Sequence, residues 1–189
     1  MNQPSSTSKL IVISGPSGVG KGTLCKRLLA NHPHWVWSVS ATSRSPRPSE
    51  VDGVDYRFLS PEAFKAHIDD GGFLEWATYN HNSYGTLRQP VEDALAGGKN
   101  VLLEIDVQGA LQVKAAMPKA KLVFLAPPNL DVLRQRLETR GTNDAADIDR
   151  RVAIAAEELT HTNAFDAVFT NANLDDCYAE LTAWLSTEL

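Results

Sequence analysis

The segment Leu10-Ile11-Val12-Ile13-Ser14 runs directly into Gly15-Pro16-Ser17-Gly18-Val19-Gly20-Lys21, so an apolar stretch is followed by a glycine-rich loop that ends in lysine. The apolar stretch is continuous rather than alternating, which is typical of a strand covered on both faces in a parallel sheet. Glycines allow successive backbone N–H groups to face one anion, and a helix beginning near Thr23 would add its positive N-terminal end. This order predicts a phosphate-binding loop with nucleotide contacts from Gly15, Pro16, Ser17, Gly18, Val19, Gly20, Lys21, Gly22 and Thr23.

The end of this loop departs from the general phosphate-loop pattern. Lys21 is expected to act as a point charge for the β- and γ-phosphates, but Gly22 stands where the pattern has Ser or Thr. The hydroxyl comes one residue later, on Thr23, which we expect to bind phosphate or to reach a metal ion through water. A glycine-rich turn with an exposed lysine is the simpler alternative.

Further apolar runs alternate with helical patterns along the rest of the chain. The runs lie at 36–39, 101–103, 122–125 and 167–169, and helical spacing begins at Thr23 and recurs at 130–137, 148–159 and 174–184. Asp147 is a candidate N-cap and Gly141 a candidate C-cap. This alternation predicts an α/β fold of three layers, with a parallel sheet flanked by helices. Residues 40–90 are richer in turn residues and aromatics, and predict a small α+β lobe inserted after the second strand.

Composition limits the functions to consider. The 189 residues are 43% hydrophobic and 22% charged, which suits one compact domain. The net charge of −5 disfavours a nucleic-acid-binding protein. Cys25 and Cys177 cannot form a disulfide framework, and the sequence has neither a run of about 20 apolar residues nor a secretion signal. We expect a cytoplasmic protein without a membrane partner, and a flexible tail over residues 1–8.

Arginines are concentrated in two short segments, which hold seven of the ten in the chain. They are Arg44 and Arg47 in the first segment and Arg134, Arg136, Arg140, Arg150 and Arg151 in the second. In an acidic protein this predicts local anion sites, and Arg136 and Arg140 share a helix face because they are four residues apart. For Arg134 and Arg150, solvent-exposed pairing with nearby carboxylates is equally expected.

The sequence resembles the guanylate kinases. The resemblance rests on Thr42-Ser43-Arg44-Ser45-Pro46-Arg47, followed by Glu50, Gly53, Tyr56 and Phe58. It continues through Phe73-Leu74-Glu75-Trp76-Ala77, Tyr84-Gly85-Thr86, Glu104-Ile105-Asp106-Val107-Gln108-Gly109, and Arg136-Leu137 with Arg140-Gly141-Thr142. It therefore covers nearly the whole chain after the tail.

This resemblance implies a nucleoside monophosphate kinase that transfers the γ-phosphoryl group of ATP to GMP, with Mg²⁺ as cofactor. It implies a single domain over 9–189, with a core of 9–39, 91–130 and 160–189, a GMP-binding lobe of 40–90 and a lid of about 131–159. The expected partners are the small molecules ATP and GMP, with no nucleic acid and no evident protein partner. A monomer and a homo-oligomer are both compatible with the sequence.

The resemblance also implies roles for individual residues. The GMP-binding residues would be Ser40, Arg44, Arg47, Tyr56, Glu75, Tyr84, Thr86 and Asp106. Glu75 would accept hydrogen bonds from guanine, and the arginines would grip the phosphate because guanidinium forks bind phosphate oxygens bidentately. The residues acting on the transferred group would be Lys21, Arg44, Arg136, Arg140 and Arg151. Asn171 would lie near the adenine of ATP.

Simpler interpretations remain for several of these residues. Packed aromatics are the simpler interpretation for Tyr56 and Tyr84, and Glu75 taken alone fits the exposed face of a strand equally well. Glu104 stands where many relatives have Asp, so Asp106 is the favoured acid of that pair. Two rival functions are a related ribose bisphosphate kinase and a guanylate-kinase-like module that only binds proteins. Such modules typically have a degraded phosphate loop, whereas residues 15–21 are intact here.

Overall fold

The computed structural model describes residues 8–139 and 144–188. The predicted tail apart from Ser8, the candidate C-cap Gly141 and the predicted site residue Arg140 lie outside the described residues. The elements in chain order are β1 (Leu10–Ser14), α1 (Lys21–Asn31), β2 (Trp35–Trp37), β3 (Ala41–Thr42), β4 (Arg57–Phe58), α2 (Pro61–Asp69), β5 (Phe73–Tyr79), β6 (Asn82–Leu87), α3 (Arg88–Ala96), β7 (Asn100–Glu104), α4 (Val107–Ala116), β8 (Lys121–Ala126), α5 (Leu130–Thr139), α6 (Ala145–Leu159), β9 (Ala167–Thr170) and α7 (Leu174–Glu188).

The main sheet contains the five strands that the apolar runs predict. Its order is β2-β7-β1-β8-β9 and every neighbouring pair is parallel, which confirms the predicted fold class. Alternate residues of the central strand, β1, belong to two different hydrophobic cores. Ile11 and Ile13 pack with side chains of α1, α5 and α7, whereas Leu10 and Val12 pack with side chains of α3 and α4. Both faces are covered by helices, which explains why the run has no polar alternation.

A second sheet of four strands, in the order β4-β3-β6-β5, is built from residues within 40–90. β3 pairs with β4 in parallel and with β6 antiparallel, and β5 and β6 form a hairpin. Its small core includes Ala41, Phe64 and Phe73, and the rings of Phe64 and Phe73 stack with centroids 4.4 Å apart. We call this unit, with α2, the small sheet. The division of the chain into a GMP-binding lobe and a lid stays a prediction.

The predicted N-cap of α6 was wrong by one helical turn. The helix begins at Ala145, and the side chain of Asp144 caps it by accepting from the backbone N–H of Asp147. Asp147 instead accepts a hydrogen bond from Nε of Arg151 at 2.7 Å. The apolar pattern starts only at Ile148, which is the first buried residue of α6, so the pattern gives no sign of the exposed first turn.

The parallel topology brings several chemically active segments to one edge of the main sheet. The glycine-rich loop follows β1, Glu104 ends β7, and Asn171 follows β9. This is the carboxyl edge, where open α/β sheets bind their ligands. In the described part of the chain, no helix has the length and apolar character needed to cross a membrane.

Candidate active site

Steric contacts at two positions make the loop after β1 specific for glycine. Gly15 has φ +134°, and a Cβ there would lie 2.2 Å from the carbonyl oxygen of Leu125 in β8. Gly20 has φ +105° directly before α1, and a Cβ there would lie 2.6 Å from Nδ2 of Asn171. A non-glycine residue would meet both a strained backbone and a clash at each position. The loop therefore lies against β8 and Asn171, and it leads directly into α1, whose first backbone N–H groups have no acceptor within the helix.

Lys21 is held over this loop. Its Nζ donates to the carbonyl oxygens of Gly15 and Pro16, the latter at 3.1 Å. Burial lowers the pKa of Lys21, and the carboxylates of Glu104 and Glu158 oppose that shift. The site thus contains a cation that the acids around it help to keep charged.

Asn171 anchors the loop from the opposite side. Its buried side chain donates from Nδ2 to the carbonyl oxygen of Val19 at 2.8 Å. The predicted contact with adenine stays a prediction, because the structure shows Asn171 only in this supporting role.

Two arginines of α5 and α6 lie next to the loop. Arg151 donates from Nη1 to Oγ of Ser17 at 2.9 Å, so α6 contacts the phosphate loop directly. Arg136 donates from Nη2 to the carbonyl oxygen of Ala172 at 3.3 Å, while its buried Nη1 has no hydrogen-bond partner among the described residues. A buried donor without a partner is costly, so this nitrogen is suited to an incoming acceptor.

Arg134 and Arg150 form solvent-exposed pairs with nearby carboxylates, which is the alternative that the sequence left open for them. Arg134 pairs with Asp149 at 2.6 Å, and Arg150 pairs with Asp147 within its own helix. The side chains of Arg134 and Arg150 are 40% and 63% exposed, as expected for solvated surface pairs that contribute little.

On the small sheet, Arg44 forms a bidentate ion pair that the sequence analysis did not assign. Its Nη1 and Nη2 donate to the two carboxylate oxygens of Glu50 at 2.9 and 2.8 Å. This hydrogen bonding raises the pKa of Arg44 and lowers the pKa of Glu50 to about 2. The sequence signal for this ion pair is the spacing of six residues within the motif that carries the family resemblance. A turn, rather than the period of a helix, brings the two side chains together. Glu50 therefore occupies the guanidinium fork in the structure.

Aromatic rings surround this arginine. The guanidinium carbon of Arg44 lies 5.5 Å from the ring centroid of Tyr56, and the rings of Tyr56 and Tyr84 meet edge to face at 6.1 Å. Tyr56 and Tyr84 are thus packed aromatics, as one interpretation expected, and they also border the predicted anion site. Arg47 is exposed beside them, and its backbone N–H donates to Glu50 at 2.7 Å.

Glu75 lies at the other end of the small sheet and is only 7% exposed, so it is not an exposed strand residue. Its Oε1 accepts from Oγ1 of Thr86 at 2.7 Å, because the two residues are paired across the hairpin of β5 and β6. Burial raises the pKa of Glu75 to about 7. The hydrogen bond from Thr86 acts in the opposite direction and lowers this pKa, whereas the nearby charge of Asp106 raises it further.

Gly109 provides space beside Glu75, a role that the sequence analysis did not foresee. A Cβ at this position would lie 3.0 Å from Oε2 of Glu75 and 3.3 Å from Oδ1 of Asp106. Asp106 caps α4 by accepting from the backbone N–H of Gly109 at 2.7 Å. The two predicted guanine-side acids are therefore neighbours around one glycine.

A cleft of about 540 Å³ lies where side chains of the main-sheet region and of the small-sheet region face each other. It is lined by Lys26 of α1, Glu104 of β7, and Ser40 and Tyr56 of the small-sheet region. Ser40 thus lines the same cleft as Tyr56, a predicted phosphate-binding residue, and Glu104 at the carboxyl edge of the main sheet. A larger cavity of about 700 Å³ lies around Lys9 and Lys121, where β1 and β8 begin, and contains none of the predicted site residues.

No preformed metal site of three or more His, Cys, Asp or Glu side chains occurs within residues 8–139 and 144–188. Mg²⁺ that arrives with a nucleotide takes most of its ligands from phosphate and water, and needs only one or two protein carboxylates. Glu104 and Asp106 at the end of β7 are suited to that requirement, and Thr23 is exposed nearby at the start of α1. The donor set therefore fits a magnesium–nucleotide complex.

Together these features define the class of protein: an α/β nucleotide-binding fold with a phosphate loop after its first strand and a second, smaller sheet that carries an arginine-containing motif. Comparison with known proteins identifies the family within that class. The sequence model of the family described as guanylate kinase matches residues 7–188. The chain belongs to the guanylate kinase family, and it is a nucleoside monophosphate kinase.

Individual relatives agree with this assignment over most of their length. The guanylate kinase of Synechocystis sp. is 48% identical over 187 residues, covering 99% of this chain and 98% of that protein. That of Gloeobacter violaceus is 53% identical, covering 88% and 82%. The crystal structure of guanylate kinase from Anaplasma phagocytophilum matches with a TM-score of 0.75 and 30% identity, covering 97% of this chain and 87% of that one.

Proposed function

We propose that the protein transfers the γ-phosphoryl group of ATP to GMP, giving ADP and GDP, and so serves guanine nucleotide metabolism and GMP recycling. The observation that carries this proposal is the combination of an intact phosphate loop with a buried carboxylate, Glu75, on the small sheet. The loop suits a triphosphate donor, and the carboxylate suits a base that presents adjacent N–H donors.

The GMP phosphate binds to Arg44, Arg47, Tyr56 and Tyr84, with Ser40 at the edge of the same cleft. The bidentate grip that Arg44 already makes on Glu50 supports this role, because a phosphate offers two oxygens in a similar arrangement. The entering phosphate displaces the Glu50 carboxylate from Arg44 or shares the guanidinium with it.

The guanine base is recognised by Glu75, which accepts from N1–H and the 2-amino group. The hydroxyls of Thr86 and Ser40 and the carboxylate of Asp106 complete this side of the site. Adenine presents an acceptor at N1 and has no 2-amino group, so it would leave Glu75 facing a lone pair. Mismatched buried polar groups of this kind support discrimination on the order of 10⁴-fold.

The ATP side uses the loop from Gly15 to Thr23, with Asn171 toward the adenine. Lys21, Arg136, Arg140 and Arg151 neutralise the transferring phosphoryl group together with Arg44. The contact between Arg151 and Ser17 and the unpartnered nitrogen of Arg136 support this for two of them. The assignment of Arg140 rests on the family resemblance alone, since it lies outside the described residues.

The chemistry requires positioning and charge neutralisation rather than a general base, because the acceptor oxygen of GMP is already anionic near neutral pH. Two like charges about 4 Å apart repel by about 4 kcal/mol at an effective dielectric near 20. Arginines and Lys21 offset this repulsion and stabilise charge in the transition state. Mg²⁺ bound with ATP would supply further positive charge, and Thr23, Glu104 and Asp106 are the candidate oxygen ligands that would hold it.

Transfer to GMP rather than to water requires a site that excludes water. We assign this to closure of the predicted lobe, 40–90, and the predicted lid, 131–159, over the core. Cytoplasmic location, the absence of nucleic-acid, membrane and protein partners, and the choice between monomer and homo-oligomer also stay predictions. Light scattering after gel filtration decides the last of these.

The deciding experiment is a coupled ADP-release assay with ATP and a panel of acceptors: GMP, AMP and a ribose bisphosphate. We expect rapid turnover with GMP, and less than a hundredth of that rate with the other two. Lys21→Met, which removes the charge over the loop, is the inactive control, and Lys65→Met on the exposed face of α2 is the matched control. Faster turnover of the ribose bisphosphate than of GMP would overturn the proposal.

A further inference from the structure

A glutamine side chain closes the outer edge of β5. This strand is the last of the small sheet, so among the described residues no further strand pairs with it on the side away from β6. The amide of Gln112 in α4 takes that place. Its Oε1 accepts from the backbone N–H of Trp76 at 3.1 Å, and its Nε2 donates to the carbonyl oxygen of Trp76 at 3.2 Å. Gln112 therefore pairs with β5 as the peptide group of another strand would.

A side-chain amide is suited to satisfying both backbone groups at once. It carries an acceptor oxygen and an N–H donor on the same carbon, so one group can accept from Trp76 and donate to it. The strand also fixes the orientation of the amide, because the backbone N–H must face its oxygen and the backbone carbonyl its nitrogen. Gln112 is itself exposed, so replacing it opens no cavity in a hydrophobic core.

Three successive residues of β5 lie against α4. Leu74 is part of a hydrophobic core to which α4 also contributes. Glu75 lies against Gly109, where a Cβ would be 3.0 Å from Oε2 of the carboxylate. Trp76 forms the two hydrogen bonds with Gln112, which shares a helix face with Gly109 because the two are three residues apart. The backbone of β5 is thus held to α4 immediately before and immediately after Glu75.

Resting on the function proposed above, we propose that Gln112 is a positioning residue for guanine recognition: its amide fixes the β5 backbone at Trp76 and so holds the Glu75 carboxylate in place for the base. Thr86 restrains the same carboxylate from β6 through a side-chain hydrogen bond. Gln112 restrains it from the opposite side of β5, through the main chain. Because a displacement of about 1 Å in a positioned group can cost about 10²-fold in rate, these two bonds bear directly on the choice of base.

Gln112→Met tests this role, because methionine keeps the length and helix propensity of the side chain but forms neither hydrogen bond. We expect kcat/KM for GMP to fall roughly fivefold or more, whereas kcat/KM for AMP and the KM for ATP should change less than about twofold. Gln89→Met is the matched control, since this exposed glutamine pairs with Asp93 within α3 and should leave all three constants unchanged. An equal fall for GMP and AMP would show general damage to the small sheet, and either that result or an unchanged kcat/KM for GMP would overturn the proposal.

A double-mutant cycle shows whether Gln112 acts through Glu75. If it does, Gln112→Met should lower kcat/KM for GMP by less than about twofold once Glu75→Gln is already present, because the group that it positions has been removed. The same fold-loss in both backgrounds would mean that the two residues act independently, and would contradict the proposal.

Binding measurements separate this inference from the proposed function. Calorimetry with GMP and with AMP, in the absence of ATP, repeats the comparison without phosphoryl transfer. If GMP binds but is not phosphorylated, the proposed function is wrong, and the ratio of the two dissociation constants decides the role of Gln112. A loss of roughly fivefold or more in the preference for GMP in Gln112→Met supports that role, and an unchanged preference overturns it.

Discussion

Thr86 donates a 2.7 Å hydrogen bond from Oγ1 to Oε1 of Glu75, and both side chains are almost fully buried where the small sheet meets α4. The bond restrains the carboxylate, while burial raises the pKa of Glu75 to about 7. Protonation of Glu75 in the empty site is therefore expected near neutral pH rather than in the ordinary carboxyl range. In the proposed complex Glu75 must be ionised to accept two N–H donors, so we expect binding of GMP to be coupled to loss of a proton.

GMP affinity should consequently depend on pH around 7. Below this value a proton competes with the base, and we expect the dissociation constant to rise by up to about 10-fold per pH unit. Above it the affinity should level off. Calorimetry with GMP from pH 5.5 to 8.5 measures this, and Glu75→Gln is the control because it keeps the titration of the GMP phosphate. Identical profiles for the two proteins would show that Glu75 does not contact the base.

Base preference should depend on the same carboxylate. In Glu75→Gln the amide can donate to the N1 acceptor of adenine, so the ratio of kcat/KM for GMP over AMP should fall by about 100-fold or more. Steady-state assays with both acceptors measure this ratio. The KM for ATP should change less than twofold, since the loop is untouched. An unchanged ratio would mean that the base is read by other residues.

Glu75 should also reduce the stability of the empty protein at high pH. Its folded pKa is raised above the ordinary value of 4.5, so its contribution to stability is fully present below pH 4.5 and is lost as pH rises through 7. Glu75→Gln should therefore be more stable than the original protein at pH 8.5, by on the order of 1–3 kcal/mol. Urea unfolding at pH 5.5 and 8.5 checks this, and an equal difference at both values would contradict it.

Arg44 should affect GMP binding far more than ATP binding. Arg44→Lys keeps the charge but loses the two-pronged grip seen on Glu50, so the KM for GMP should rise at least about 10-fold. The KM for ATP should change less than twofold. Arg134→Lys, in an exposed pair with Asp149, is the matched control and should leave both constants unchanged. Equal increases in the two KM values for Arg44→Lys would argue against a separate GMP site.

Gly15 should tolerate no side chain. Gly15→Ala places a Cβ 2.2 Å from the carbonyl oxygen of Leu125 at φ +134°, and we expect it to lower the free energy of unfolding by about 3 kcal/mol or more. Gly98→Ala is the control, because φ is +77° there but a Cβ meets nothing within 4 Å. Its cost should be about 1 kcal/mol, from backbone strain alone. Similar costs for both variants would show that contact with β8 is unimportant.

The sequence predicted the main sheet well, because a strand buried on both faces must be apolar at every position. Leu10 to Ile13 and Leu122 to Leu125 are such runs, and both are central strands. The two-residue strands β3 and β4 could not be predicted, since so short an element carries no periodicity. The N-cap of α6 was misplaced because its exposed first turn has no apolar residue to mark it.

For the candidate site, features that are local in sequence could be predicted and contacts between distant residues could not. The loop from Gly15 to Lys21 is local in sequence and could be recognised with its strand and helix. The relationships that determine its electrostatics are not local: Glu104 faces Gly22, and Gly109 makes room for Glu75. The ion pair of Arg44 with Glu50 is close in sequence but depends on a turn. Such contacts require the folded chain before they can be seen.

That ion pair has a consequence for the catalytic cycle. Glu50 is a counter-ion within the protein itself, so the guanidinium of Arg44 keeps one orientation when no substrate is bound. On the function proposed above, an arriving GMP phosphate would compete for Arg44 with an anion that is already bound there. Because the competing carboxylate is tethered to the same chain, it would weaken the binding of GMP and GDP alike and would return to Arg44 when the product leaves.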